Sequence, residues 1–386
     1  MTSAAQRRIR HIGVNAVFLQ PRMGGLDTLT RALVPELAAL RPDVRISVFC
    51  NRQGREYLAR EGWADAVELV THPLLGRRGL RAASELTLLG RLADARGVDV
   101  LHSVALTAPL SLRAANVVTI ADVTWIVAAE PDERWTVRLW RLIVPPVARR
   151  ADRVIAISKA GAEHVVEYLH VPRDRIDVIY PGHGVDEPAA GTAERDLRER
   201  LELGSGPIVL TVAAKKAHKN LLRLVRAMAE VRAAQPNAVL VLPGNPTPHE
   251  RELRAEVDRL GLSDGVRFPA YVDAADLEGL YGAASCFVFA SINEGFGLPI
   301  LEAMRRGVPV ACSNVSAMPE AAGDAARYFD PFEESQIAAA IGELLSDHAL
   351  AARLVEAGRR QQAKFTWRAC AEATLDSYER AIAGRR

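Results

Sequence analysis

The stretch CFVFASINEGFGLPILEAMRRGVPVACS, residues 286–313, decides how the rest of the chain is read. Cys286–Ala290 is a short apolar run, as a buried strand requires. Gly307–Ala311 begins a second such run, entered through a glycine and broken by Pro309. Between them Asn293-Glu294-Gly295-Phe296-Gly297 forms a turn, and Pro299 falls in the first turn of a following helix, where a missing N–H costs nothing. The order is strand, Gly-rich turn, helix, strand. Such a turn aims backbone N–H groups at the space before a helix N-terminus, a ready place for phosphate or sugar hydroxyls. Two carboxylates frame it. Glu294 lies in the loop, and Glu302 lies on the helix, which Ile300, Leu301 and Met304 anchor in the core. A carboxylate accepts from two neighbouring hydroxyls and so suits a ribose or a hexose.

The pattern continues on both sides. Ile9–Leu19 reads as a strand, then Gln20–Gly25 as a turn, then Leu26–Leu40 as a helix that Pro35 should kink. Further strands are expected at Val44–Cys50, Val67–Val70, Val98–His102, Asn116–Ile120, Arg153–Ile157 and Ile176–Tyr180. Leu86–Arg96 and Arg138–Arg150 read as helices, the latter interrupted at Pro145-Pro146, and Ser158 caps a third over Lys159–Leu169. The Pro- and Gly-rich segment 181–191 is the natural linker. After it, strands at Ile208–Val212, Ala238–Leu242, Val266–Phe268, Cys286–Ala290 and Val308–Cys312 repeat the alternation. Strands alternating with helices mean α/β architecture with doubly wound parallel sheets. A last helix starts after Thr366, with Trp367, Cys370, Ala371, Thr374, Leu375 and Tyr378 on one face.

At 386 residues the chain fits two domains better than one. Its formal net charge is +2, so no overall field points to nucleic acid. Residues 1–180 carry 25 Lys and Arg against 19 Asp and Glu, a mild basic excess that suits an anionic acceptor or peripheral contact with a membrane. Four cysteines show no CxxC pairing and read as small buried hydrophobes of a reducing compartment. The N-terminus lacks an apolar leader before the first strand, which together with the cysteines gives a cytoplasmic expectation.

The Glu294–Glu302 block resembles the donor site of retaining GT-B glycosyltransferases of the large Glu-x7-Glu family, glycosyltransferase family four, which includes α-mannosyl- and α-glucosyltransferases. EGFGLPILEAM, residues 294–304, carries the likeness. The resemblance implies two Rossmann-like domains facing across a cleft. Residues 1–182 would bind the acceptor and 183–364 the nucleotide sugar, with 365–386 as a helix crossing back onto the first domain. It implies that Glu294 binds the hexose, Glu302 the ribose, and the amides of Gly295, Phe296, Gly297 and Leu298 the sugar and phosphate oxygens. Gly24 and Gly25 would face the donor phosphates, and Val272 the nucleobase beside Tyr271. Lys219 would take the diphosphate charge. Family members place a further basic residue where Ala213 and Ala214 stand, with Lys215 as the substitute. Asn245 and Glu320 are weaker candidates.

On the acceptor side His102 and Asp122 end neighbouring strands, Asp122 as an orienter or base for the acceptor hydroxyl. Many family members have His-Asp where this chain has Ala121-Asp122, so a role carried by that imidazole would be lost. No acidic pair or His/Cys cluster has metal-ligand spacing, so neither metal nor cofactor is expected beyond the nucleotide-sugar co-substrate. The expected function is transfer of a hexose, from GDP-mannose or a UDP-sugar, to a hydroxyl of a sugar, lipid-linked sugar or small molecule. The alternatives are a GT-B protein that binds a nucleotide sugar without turning it over, and a nucleotide-sugar epimerase.

Overall fold

The structure is a computed structural model, and it describes residues 9–20, 24–77, 80–127, 134–184, 190–270 and 272–385. The chain separates into two compact units, one of Met1–Val185 with Phe365–Arg386, the other of Asp186–Lys364.

The first unit is built on a parallel sheet ordered β3-β2-β1-β4-β5-β6-β7. Its elements follow in chain order as β1 (His11–Ala16), α1 (Gly25–Leu40), β2 (Arg45–Cys50), α2 (Arg52–Leu58), β3 (Glu68–Val70), α3 (Arg81–Ala95), β4 (Val100–Ser103) and β5 (Ala115–Ile120). Then come α4 (Thr124–Val127), α5 (Arg134–Arg150), β6 (Arg153–Ala156), α6 (Lys159–Leu169) and β7 (Ile176–Val178). The central strands β1, β4 and β5 are buried at every position, as a sheet covered on both faces demands. Ser158 caps α6 by accepting from Gly161 N at 2.8 Å.

The second unit has its own parallel sheet, ordered β10-β9-β8-β11-β12-β13. It runs α7 (Glu194–Arg200), β8 (Ile208–Leu210), α8 (Leu221–Ala234), β9 (Val239–Val241), α9 (Glu250–Arg259), β10 (Val266–Arg267), α10 (Ala274–Ala283) and β11 (Cys286–Phe289). It closes with α11 (Leu298–Arg305), β12 (Val310–Ser313), α12 (Met318–Ala322), β13 (Ala326–Phe329), α13 (Glu334–Ser346) and α14 (His348–Gln362). Helix α15 (Trp367–Ala383) then returns to the first unit, where Trp367, Cys370, Ala371 and Tyr378 share a core with Leu29, Leu33 and Leu37 of α1.

The pair Pro145-Pro146 does not interrupt α5, which runs unbroken over Arg134–Arg150, and Pro35 lies inside α1. In α5 the prolines deprive the carbonyls of Arg141 and Leu142 of donors, but both residues are exposed, so water serves them while Val144, Val147 and Ala148 hold the helix to the core. Strand β13 completes an edge that was not foreseen, because ARYF offers only two fully buried positions. All four cysteines are buried and free, as read from the sequence.

Candidate functional site

In each sheet the chain starts in the middle and winds outward in both directions, between β1 and β4 in one and between β8 and β11 in the other. At such a point, the loops leaving the carboxyl ends of the two strands diverge and leave room for a ligand. In the second unit those loops are 211–220 after β8 and 290–297 after β11.

The two loops are tied by a backbone hydrogen bond from Ile292 N to His218 O at 2.9 Å. Residues Ala217–Lys219 make one 3-10 turn, and Asn220, at φ 57°, turns the chain into α8. Lys219 therefore stands just ahead of α8 and does not open it. Its Nζ lies 2.6 Å from Glu294 Oε1 and 5.8 Å from the centre of the Phe289 ring. Ser291 Oγ donates to the same carboxylate oxygen at 2.6 Å. The side chains of Lys219 and Glu294 retain 16% and 13% of their exposure, so the pair is shielded yet reachable.

A third strand end fixes the acid from behind. Ser316, at φ 55° beyond β12, accepts from Glu294 N at 3.1 Å. Its hydroxyl also lies 3.0 Å from Glu294 O and 3.2 Å from Asn293 Oδ1, to either of which it can donate. Ser313 Oγ donates to Ser291 O at 2.6 Å. Ser291, Asn293, Ser313, Ser316 and His218 were not among the residues singled out from sequence. Their common signal is position, each in the segment that leaves the carboxyl end of a strand, with His218 farthest along in the 3-10 turn before α8.

Gly297 caps α11 at φ 107°, a conformation that strains any side chain, and Ile300 N returns to Gly297 O at 3.0 Å. Gly295 and Leu298 are half-buried and Phe296 is buried. Glu302 takes a different partner. The Tyr281 hydroxyl donates to its Oε2 at 3.3 Å, and burial raises its carboxyl above the usual range. Arg306 stacks 4.5 Å from the centre of the Tyr281 ring and pairs with Glu278 at 2.7 Å. Val272 is half-buried just before Asp273, the N-cap of α10, while Tyr271 lies outside the described residues. Asn245 is exposed, and Glu320 sits in the first turn of α12.

Two expected site groups are corrected. Lys215 is 1% exposed, with its ammonium 2.5 Å from Gly244 O and 3.1 Å from Glu250 Oε2. It neutralises Glu250 inside the unit and does not offer a charge to a phosphate. His102 is 1% exposed, with Nδ1 2.7 Å from the Tyr378 hydroxyl and Nε2 2.7 Å from Thr119 Oγ1. Burial alone pushes its pKa down to about 3. It is a neutral core residue that joins β4, β5 and α15, and both ring nitrogens are engaged.

The remaining first-unit candidates lie at the carboxyl edge of its sheet. Gly24, at φ 73°, and Gly25 are exposed at the start of α1, where Asp27 N and Thr28 N return to Gly24 O. Asp122 is half-buried after β5 and accepts from Thr124 N at 2.8 Å, so one of its oxygens caps α4.

Residues 193–361 match the family model described as Glycosyl transferases group 1, and residues 23–187 match the one described as Glycosyltransferase Family 4. The O-antigen chain mannosyltransferase B of Escherichia coli is 30% identical over 268 residues, which is 68% of this chain and 70% of that protein. The chain belongs to glycosyltransferase family 4.

The serotype-specific mannosyltransferase WbdA of Escherichia coli is 33% identical over 241 residues, 60% of this chain, so the family 4 chain spans only 29% of that relative's length. Among solved structures, Anabaena HepE in complex with UDP and glucose superposes with a TM-score of 0.72 at 19% identity, covering 96% of this chain and 99% of that one. The fold of this family 4 chain is GT-B, with two Rossmann-like units. Its Lys219–Glu294 pair and the whole of 286–313 fall within the block matched by the group 1 model.

Proposed function

We propose that this chain is a retaining hexosyltransferase that moves a sugar from a nucleotide diphosphate donor to a hydroxyl acceptor without a metal ion. The observation that carries the reading is the Lys219–Glu294 pair beside the N-terminus of α11, at the switch point of the second sheet. A bound donor would divide that pair. Lys219 would turn to the diphosphate, and Glu294 would accept from hexose hydroxyls. The amides of Gly295, Phe296, Gly297 and Leu298 would hold oxygens at the positive end of α11. Glu302 would take the ribose in place of the Tyr281 hydroxyl, and Val272 would lie beside the base. Gly24, Gly25 and Asp122 would serve from the first unit, Asp122 orienting the acceptor with the carboxylate oxygen that does not cap α4.

The step breaks the bond between the anomeric carbon and the diphosphate oxygen, and forms one from the acceptor oxygen on the same face. The acceptor's proton leaves with the departing phosphate. Charge builds on the diphosphate as the bond breaks, and a fixed ammonium with aligned amides stabilises it there. The names of the mannosyltransferase relatives support mannose as the sugar and the UDP-bound neighbour supports a UDP donor, and the donor we propose is GDP-mannose or a UDP-sugar. The acceptor is a hydroxyl of a sugar, a lipid-linked sugar or a small molecule, and the setting is cytoplasmic.

The test is a donor screen by thermal shift, followed by product analysis with and without EDTA. Wild-type protein should release nucleoside diphosphate, keep the anomeric configuration and be indifferent to EDTA. If Lys219→Ala and Glu294→Ala both keep more than about a tenth of wild-type turnover, the assigned site is wrong. Ala121 favours a second reading, donor binding without turnover. Tight calorimetric binding, with no transfer and no donor hydrolysis, would select it.

A further inference from the structure

We infer that the outer face of α5 is a docking surface for a bilayer carrying anionic lipid headgroups. The helix reads RWTVRLWRLIVPPVARR, with five arginines and no acid. Its inner face is accounted for, since Val137, Val144, Val147 and Ala148 lie in a core with Val118, Trp125 and Val154. Trp140 meets Trp125 edge-on at 5.9 Å.

The opposite face carries large apolar groups into solvent. Trp135 is 79% exposed, Leu142 75% and Leu139 48%. With Arg138 these positions fall at i, i+3, i+4 and i+7, which is one stripe of a helix. Among the described residues, the second unit leaves one large apolar side chain comparably bare, Phe332. The Arg138 guanidinium stands 4.9 Å from the centre of the Trp135 ring, and Arg141, Arg149 and Arg150 are exposed on the same helix.

An indole with a guanidinium beside it, two leucines and a border of arginines suits the boundary between headgroups and acyl chains. Phosphate headgroups meet the arginines while Trp135, Leu139 and Leu142 leave water. A second copy of the chain would set this all-positive helix against itself, which the charges oppose. No helix among the described residues is long and apolar enough to cross a membrane, so the contact is interfacial. Helix α5 follows the carboxyl end of β5, where Asp122 lies, by way of α4. Docking would therefore bring that edge of the first unit to the lipid surface.

The experiment is flotation of the full chain with vesicles of phosphatidylcholine, with or without phosphatidylglycerol, in the absence of donor. Wild-type protein should float with the phosphatidylglycerol vesicles and stay behind with pure phosphatidylcholine. Its partition should weaken in high salt. Trp135→Glu with Leu142→Glu, and separately Arg138→Glu with Arg141→Glu, should each lower the partition at least about tenfold, since each charge near the surface is worth about fivefold. Phe332→Glu should leave it unchanged. All these side chains are exposed, so unchanged melting curves certify the fold. The inference is overturned if wild-type protein stays in solution with anionic vesicles, or if both double variants float like wild type. It is also overturned if the chain forms a dimer that Leu142→Glu disperses while never floating, which would assign the face to a second copy. Because no donor is present, failure of the transfer reading leaves this test standing.

Discussion

The two sheets share a winding but not an edge chemistry. At the carboxyl ends of β1 and β4, Asn15 donates to Ser103 Oγ and Thr107 O, each at 3.1 Å, and to Glu85 Oε2 at 3.3 Å. His102 is held between Tyr378 and Thr119. All of these groups are buried, and burial drives the three titratable ones toward their neutral forms, His102 downward and Glu85 and Tyr378 upward. At the equivalent ends of β8 and β11, Lys219 and Glu294 meet as opposed charges that solvent still reaches. One edge has become core, while the other keeps ions available to a ligand. That contrast is why the site is proposed at the second edge, where the charges can be exchanged for those of a guest.

The largest effect should come from breaking the charged edge. Lys219→Ala removes the cation proposed to meet the leaving diphosphate, and turnover should fall about 100- to 1,000-fold, as when a charge-stabilising donor is lost. Its melting temperature should move little, because Ser291 Oγ still donates to Glu294 Oε1 once the ammonium is gone. Steady-state kinetics on samples matched by circular dichroism check both statements. A Lys219→Ala protein that kept its turnover but melted early would make the second edge structural, like the first.

The matching substitution in the closed edge should show the reverse pattern. His102→Ala deletes two buried hydrogen bonds and leaves the Tyr378 and Thr119 hydroxyls unserved, a cost of about 3 kcal/mol. For a unit of this size, melting should fall by about 6–12 °C. The folded fraction should retain its turnover. Loss of activity without loss of stability would return His102 to the acceptor side.

Acid should weaken both units through histidines held neutral. The pKa of His102, and that of His218, buried beside Lys219 and Lys216, are pushed down to about 3, chiefly by burial. Unfolded, each takes a proton near pH 6.5, so between about pH 6.5 and 3 the unfolded chain binds more protons and stability falls as the pH falls. By pH 5 each should have lost about 2 kcal/mol of stabilisation. Glu85 works in the opposite sense, since its raised carboxyl favours the folded state at low pH. Melting followed from pH 7 to 5 in wild type, His102→Gln and His218→Gln should show a shallower slope in each variant. Equal slopes in all three would mean that these rings take up protons while folded.

Much of this was legible in the sequence. The apolar runs at 286–290 and 308–312, the glycines between them and the Glu294–Glu302 spacing gave the βαβ unit, and the repeat of that alternation gave the second sheet. What escaped reading depends on distant partners. In a strand buried on both faces, alternation cannot tell a core histidine from one at the rim, and the residue that seals His102 is Tyr378, 276 positions away. Lys215 and Lys219 differ only in what lies beneath them. Glu250 waits for the first, from a helix that sequence reading had not assigned, and Glu294 for the second. Ser316 supports Glu294 from beyond a third strand, and a lone serine at φ 55° leaves no trace in composition.

The smallest effect sharpens the comparison most. Ser291 and Lys219 both donate to Glu294 Oε1, each at 2.6 Å, so the carboxylate is aimed by a neutral donor as well as a charged one. In the proposed reaction Lys219 leaves Glu294 for the diphosphate, whereas Ser291 has no reason to move. Ser291 would then hold the acid in place while the donor is bound. A hydrogen bond to a charged group is worth about 1.5–3 kcal/mol. Ser291→Ala should therefore cost about tenfold in kcat/KM, mostly through the KM for donor, and Ser291→Thr should restore part of it. A merely structural serine would lower the melting temperature without moving KM. An unaffected KM would leave Lys219 as the carboxylate's main support, and the contrast between the two sheet edges would then rest on one ion pair and not on a built site.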